Sequence, residues 1–352
     1  RCRPRSSNQV VLRPPEMRRP TSVARRAWWY AAGRAASAES GRLTPTEGTA
    51  AIERIESARP DYGPVLTTIA FGVASGSAAR FLGGGLAEVL VGLVVGLAIG
   101  LLALVAERHP GLGRVFEPVA AFTGSTLVTL IAAAGAPVSP LTATIAGVII
   151  LIPGFTLTTA ITELSTRHLA SGTARLAGAL VLLLGITFGI ALGTKMVTLI
   201  TGDIPRMDPV PMPGWTLFVS LITTPLAFVV LLRAEARDAG YIILAGALAF
   251  LGARVGGQLL GPELGAFGGG LLTGVGSRWY SRITNRPSQI TLVPGLLLLV
   301  PGSIGLRSFT SMMEGEPITG IEGVFRVGLI AVSIASGILI ARLVTPRRAL
   351  LD

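Results

Sequence analysis

From about Pro64 to Val344 the chain is a succession of apolar runs, each about 20 residues long, divided by short polar clusters. Inside a bilayer only α-helices and closed barrels satisfy their own backbone donors and acceptors, and runs of this length fit the helix. The pattern predicts an all-α polytopic membrane protein of about ten transmembrane helices. The runs fall at 64–82, 86–106, 116–135, 139–162, 172–199, 214–232, 240–260, 262–277, 288–306 and 323–344; the eighth is short and glycine-heavy around Phe267 to Gly276.

Composition agrees. Half of the residues are hydrophobic, only 14% are charged, and the mean hydropathy is +0.66. A soluble chain carries about a quarter charged residues. The net charge of +11 is unevenly spread: of 30 basic residues 12 precede Asp61, and Lys195 is the single lysine. Arginines in a tail and between spans, rather than on one soluble face, argue against nucleic-acid binding. The one cysteine, Cys2, excludes an intrachain disulfide. Residues 1–62 are rich in Arg, Pro, Ser and Ala and read as a largely disordered, cationic cytoplasmic tail. Few acids with many Arg and Ser also suit an organellar transit peptide.

Basic residues in the connections set the orientation. With a cytoplasmic N-terminus, the inside connections carry Arg108, Arg114, Arg167, Arg175, Arg233, Arg237, Arg278, Arg282 and Arg286, followed by Arg342, Arg347 and Arg348. The outside connections carry Arg80, Lys195, Arg206, Arg254, Arg307 and Arg326. Twelve against six predicts an even number of spans with both termini inside, in a bacterial inner membrane.

The fourth and ninth runs share a feature: Val148-Ile-Ile-Leu-Ile-Pro153-Gly154 and Leu296-Leu-Leu-Leu-Val-Pro301-Gly302, at an offset of 301 − 153 = 148. The same offset carries Gly185, Gly189 and Gly193 onto Ser333, Gly337 and Ala341. Upstream, Glu117 with Ala121-Phe122 resembles Glu263 with Ala266-Phe267, at 145 to 146. The chain then divides into a tail (1–62), a first membrane module (63–200), a linker (201–213), a second module (214–346) and a cytoplasmic end (347–352). Five spans per half force the second half to insert upside down, giving two inverted five-helix repeats with Pro-Gly-interrupted helices 4 and 9. That is the plan of many secondary transporters, whose substrate site lies at the midplane between the halves.

A break at these prolines has a chemical consequence. Pro153 has no amide for the Ile149 carbonyl, nor Pro301 for that of Leu297. Each break leaves carbonyls facing one way and a fresh helix N-terminus facing the other, a pairing that suits a small zwitterion. Pro153, Gly154, Thr156, Thr159, Pro301, Gly302 and Ser303 are therefore the candidate substrate-binding residues. Two bland readings stand beside this one: Pro-Gly as a kink between packed helices, and the hydroxyls back-bonding to their own helix. Gly92, Gly96 and Gly100, like Gly185, Gly189 and Gly193, recur every fourth residue and read as close-packing faces or a homo-oligomer contact. Glu163, Glu117 and Glu263, near span ends, are candidate proton carriers; for Glu117, Glu263 and Glu88, helix capping is an equal reading. No metal, cofactor or hydrolase motif is present, and the two histidines, His109 and His168, fall in connections, so no enzyme is expected.

At these residues the chain resembles the threonine/serine exporter family. The first half matches through Ile150-Leu-Ile-Pro153-Gly154-Phe-Thr-Leu157, Ala160-Ile-Thr-Glu163-Leu and Ala170-Ser171-Gly172-Thr-Ala-Arg175-Leu. The second matches through Arg286-Pro287-Ser-Gln289, Val293-Pro294-Gly295 and Leu299-Val-Pro301-Gly302-Ser303. The resemblance covers roughly residues 50 to 348 and singles out Ser171, Gly172 and Arg175 as motif residues. It implies a ten-span carrier, its two modules fused, that exports L-threonine and L-serine by proton antiport without a cofactor. It also implies a longer folded cytosolic region ahead of the first span, of which only Leu43 to Tyr62 looks like the end. An aspartate is expected where Glu163 stands, a change that keeps the carboxylate. The alternatives are a carrier for another small amino acid or metabolite, and a non-transporting scaffold or pore.

Overall fold

The computed structural model describes residues 62–204, 207–299, 302–313 and 315–345. The tail apart from Tyr62, the C-terminal 347–352, Arg206 and Pro301 lie outside the described residues. Every regular element among the described residues is helical. In chain order these are α1 (Pro64–Phe81), α2 (Leu86–Arg108), the short α3 (Pro110–Arg114), α4 (Phe116–Ala133), α5 (Pro140–Gly147) and α6 (Gly154–Ser165). They continue with α7 (Leu169–Thr201), α8 (Thr216–Leu231), α9 (Ala239–Leu260), α10 (Pro262–Thr284), α11 (Gln289–Leu299), α12 (Gly302–Met313) and α13 (Pro317–Val344). Short 3-10 turns at Ile149–Leu151 and Ala236–Asp238 precede α6 and α9.

Local chemistry sets the boundaries. Proline sits in the first turn of α1, α3, α5, α10 and α13, where its missing amide costs nothing. Glycines at positive φ (Gly83, Gly135, Gly202, Gly261 and Gly315) stop α1, α4, α7, α9 and α12 at or just past their last turns. Glu88 is 1% exposed: it accepts the amides of Gly85 and Ser139, both at 2.7 Å, and so caps α2 while holding the start of α5.

Each predicted run is occupied by helix, with shifted ends. The eighth run continues to Thr284, the tenth begins at Pro317 rather than 323, and the ninth continues to Met313 rather than 306. Arg307, assigned to a connection by its sequence, therefore lies inside a helix. Length and apolarity alone qualify six stretches to cross a membrane: 86–108, 116–133, 169–201, 236–259, 289–313 and 317–344. The bent pair Pro140–Gly147 and Ile149–Ser165 makes a seventh. The protein is a multi-pass membrane protein. Of the remaining helices, α8 has only 16 residues, and α1 and α10 are rich in Ala, Gly and Ser.

Those small residues serve packing. A side chain at Gly96 would begin 2.5 Å from the Phe71 carbonyl oxygen, and one at Gly92 or Gly100 would stand 3.1 or 3.0 Å from the backbone of α1, so α1 and α2 meet backbone to backbone. Gly189 likewise lies against the Pro118 carbonyl of α4, and Gly337 against the Phe267 carbonyl of α10. Gly189 and Gly337 keep the predicted offset of 148, but their partners differ by 267 − 118 = 149. The matching of Glu117 with Glu263 at 145 to 146 is thus one helical turn out of the packing register, because alternate turns of a small-residue helix look alike in sequence.

The cores interlock. Leu306 of α12 is fully buried in a cluster otherwise built by α2, α4, α5, α6, α7 and the turns between them, with Val95, Val128, Ile145, Leu183 and Ile186 at its centre. Phe155 of α6 packs against Leu296, Ile330, Ile334 and Ile338 of α11 and α13. Each half-helix that follows a Pro-Gly therefore packs on the other half of the chain.

Candidate functional site

The first break is a sharp interruption. α5 ends at Gly147, a 3-10 turn follows, Ile152 is extended (φ −67°, ψ 124°), and α6 starts afresh at Gly154, bent 49° from α5. The Ile149 carbonyl orphaned by Pro153 is taken by the Ile152 amide at 3.3 Å, so the turn repairs part of the loss. Among the described residues, the amides of Phe155 and Thr156 at the new N-terminus have no backbone acceptor. That end keeps its positive dipole unneutralised.

The start of α12 meets this break. A methyl group built on Gly302 would fall 2.7 Å from Cγ2 of Ile152 and 3.6 Å from Cα of Gly154. The start of α12 is therefore packed directly on the turn that interrupts α5 and α6. Pro301 is outside the described residues; Gly302 and Ser303 are at the junction.

The hydroxyls divide. Thr158, Thr159 and Thr162 donate back to the carbonyls of Gly154, Phe155 and Thr158, at 3.3, 2.9 and 2.8 Å. Thr159 is thus committed to its own helix. The hydroxyls of Thr156 and Ser303 have no hydrogen bond among the described residues.

Glu163 lies two turns along α6 and pairs with Arg175 Nε of α7 at 2.9 Å. Gly172 makes the pairing possible: a side chain there would meet Leu164 at 2.8 Å and the Ala160 carbonyl at 3.1 Å, so α7 can cross α6 closely. Ser171 donates to the His168 carbonyl at 3.3 Å in the first turn of α7. The other Glu163 oxygen, Oε2, is buried with no partner. Glu263 pairs with Arg326 of α13 at 2.9 Å, and Glu117 stands in the first turn of α4 without a recorded ion pair among the described residues. These three carboxylates thus sit on three different helices, α4, α6 and α10, and only Glu163 belongs to a half-helix at the break.

Two features escaped the sequence reading. Arg286, at the start of α11, bonds both Asp238 Oδ2 and Glu235 Oε1 (the latter at 2.7 Å), and Asp238 also accepts the Tyr280 hydroxyl at 2.9 Å. This staple ties α9, α10 and α11 together at one end. Arg286-Pro287 was a visible motif, but its partners lie 48 residues or more away, which no local pattern shows. The helical setting of Arg307 is the second: counted by its sequence among the outside connections, it stands inside α12, four residues from both Ser303 and Ser311.

Residues 35–197 match the family model of the threonine/serine exporter ThrE, and residues 216–344 match a second model described as "Threonine/Serine exporter, ThrE". The chain belongs to the threonine/serine exporter family. The first exporter match contains the Pro153-Gly154 break and ends within α7; the second begins with α8 and contains Gly302. An uncharacterized protein of Schizosaccharomyces pombe is 25% identical over 77% of this exporter-family chain and 34% of its own length. Proteins named pheromone-regulated membrane protein 10 from Pichia sorbitophila and Eremothecium gossypii are 24% and 25% identical, over 78% and 76% of this chain and 28% and 37% of their own. The chain spans about a third of the length of these curated fungal relatives. No solved structure matches it.

Proposed function

We propose that the protein is a secondary active transporter that exports L-threonine and L-serine, driven by the proton gradient, by alternating access around the junction of its two interrupted helices. The observation that carries this reading is the packing of Gly302 on Ile152 and Gly154. Two unrelated Pro-Gly sequences would have no reason to meet, whereas paired Pro-Gly sequences at one point are what a site between two repeats requires. Repetition gains support from reciprocal packing. α6 packs on α13 as α12 packs on α7, α11 touches α6 as α5 touches α12, and α1 meets α8. Exchanging the halves turns each of these contacts into its counterpart. The proposed fold is ten spans, with both termini in the cytoplasm of an energised cell membrane.

At the junction, the free amides at the start of α6 suit a carboxylate, and the open hydroxyls of Thr156 and Ser303 suit a hydroxy amino acid. Glu163 is the proposed proton carrier: one oxygen is held by Arg175, leaving the other to gain and lose a proton. The test is counterflow of labelled L-threonine and L-serine in proteoliposomes, with and without an imposed pH gradient. Saturable exchange that accelerates with the gradient is expected. No counterflow of either label by folded protein would sink the reading, and unsaturable, gradient-independent flux would make it a pore. Glu163→Gln should abolish gradient-driven flux and spare exchange; equal loss of both removes the coupling role.

A further inference from the structure

Among the described residues, the arginines fall into two groups with one exception. Those that are exposed need no partner, and those that are wholly or partly buried have one. Arg80 donates to Thr216 at 2.6 Å, Arg278 to the Arg342 carbonyl at 3.2 Å, Arg286 to Asp238 and Glu235, and Arg233 and Arg282 are likewise engaged. Arg307 is the exception. It is partly buried, its Nε is enclosed, and it has neither a hydrogen bond nor an ion pair among the described residues.

An arginine cannot discharge itself by losing its proton, so a guanidinium whose Nε is enclosed without an acceptor inside a membrane helix gains from any ligand that completes it. Its place in the fold says which. Arg307 is five residues beyond Gly302, about 7.5 Å along the axis of α12 from the point where that helix packs on the first break. Its neighbours Leu306 and Ser308 are both buried, Leu306 in the α2–α7 core and Ser308 against Gly323 of α13, so α12 is clasped on both flanks. Ser303, Arg307 and Ser311 share the face between. Ser308 and Thr310 spend their hydroxyls on their own helix, at 2.7 and 3.0 Å, whereas the hydroxyls of Ser303 and Ser311 have no hydrogen bond among the described residues. The face thus offers one permanent cation and two uncommitted hydroxyls.

We infer that Arg307 binds the carboxylate of the transported molecule and makes the carrier selective for α-amino carboxylates over their neutral derivatives. This rests on the transport reading above and moves recognition of the acid group from the α6 amides to Arg307 on α12. The guanidinium fork matches a carboxylate with two parallel donors, which a lysine cannot reproduce.

The test is binding to the full chain purified in detergent, by calorimetry. The probes are L-threonine, L-serine, their primary amides, and further small amino acids and carboxylates, against wild type, Arg307→Gln and Arg307→Lys. Wild type is expected to bind an acid and to reject its amide. Arg307→Gln should raise the Kd for the acid about 10- to 100-fold and bring the acid and amide to equal affinity, with Arg307→Lys between. A bound acid other than threonine or serine with the same Arg307 dependence supports the inference and removes the threonine/serine reading. Threonine binding unchanged in Arg307→Gln overturns the inference and leaves that reading standing. Wild type that binds no carboxylate, or binds acid and amide alike, also overturns it, and this comparison decides even if Arg307→Gln does not fold.

Discussion

At Gly189 a single added methyl group has nowhere to go, because the Pro118 carbonyl and the Phe122 amide of α4 occupy the space. Backbone cannot step aside as a side chain can, so Gly189→Ala should lower stability by about 1–3 kcal/mol. Gly178, on the same helix with nothing within 4 Å, should instead gain from alanine by about 0.5–1 kcal/mol of helix propensity. Thermal unfolding in detergent ranks the two, and equal midpoints would mean that α4 and α7 do not pack as described. Asp238 presents the opposite situation, a carboxylate that two partners need. Asp238→Ala leaves Tyr280 without its acceptor and Arg286 with Glu235 alone, and should cost about 2–3 kcal/mol, below the roughly 3–5 of a fully buried pair. A double-mutant cycle with Arg286→Ala should then return a coupling energy; additive losses would deny the pair. The glycine spacing was readable because only four-residue periodicity is needed to see a face. The Asp238 staple was not, since its partners are joined only by the folded chain.

At the scale of the element, the interrupted helix is where sequence chemistry reads most directly. A proline removes one amide whatever surrounds it, and the break at Pro153 follows. Restoring that amide with Pro153→Ala should let α5 run toward α6 and reduce the 49° bend. Spin labels at Leu141 and Ser165, both exposed, should move apart in pulsed electron resonance, and threonine flux should fall at least about tenfold if the break forms the site. Unchanged label distances would show that the bend is held by packing rather than by the missing hydrogen bond. The extent of α12 was less legible. Ser308, Thr310 and Ser311 look like a loop after Arg307, yet Ser308 and Thr310 bond back to the helix and carry it to Met313.

For the whole molecule, ten spans with both ends on one side can be tested through the sole cysteine. Once Cys2 is replaced by serine, single cysteines report sidedness without interference. Cysteines at His109, His168 and Arg237 should react with an impermeant maleimide from one face, and cysteines at Gly135 and Gly202 from the other; His109 and Gly135 labelled from the same face would remove the predicted topology. The 148-residue offset between the two Pro-Gly sequences was visible in the sequence, but how the two segments around them interlock was not. Leu306 and Phe155 look like ordinary apolar residues until each is found in the core of the opposite half. The junction of Ile152 and Gly302 has a consequence for descent. The two residues share one volume, so a lineage that acquires a methyl at 302 must shed one at 152, and Ile152→Ala should rescue Gly302→Ala. The fused halves are then bound to co-evolve at this point, each recording in its own sequence the history of the other.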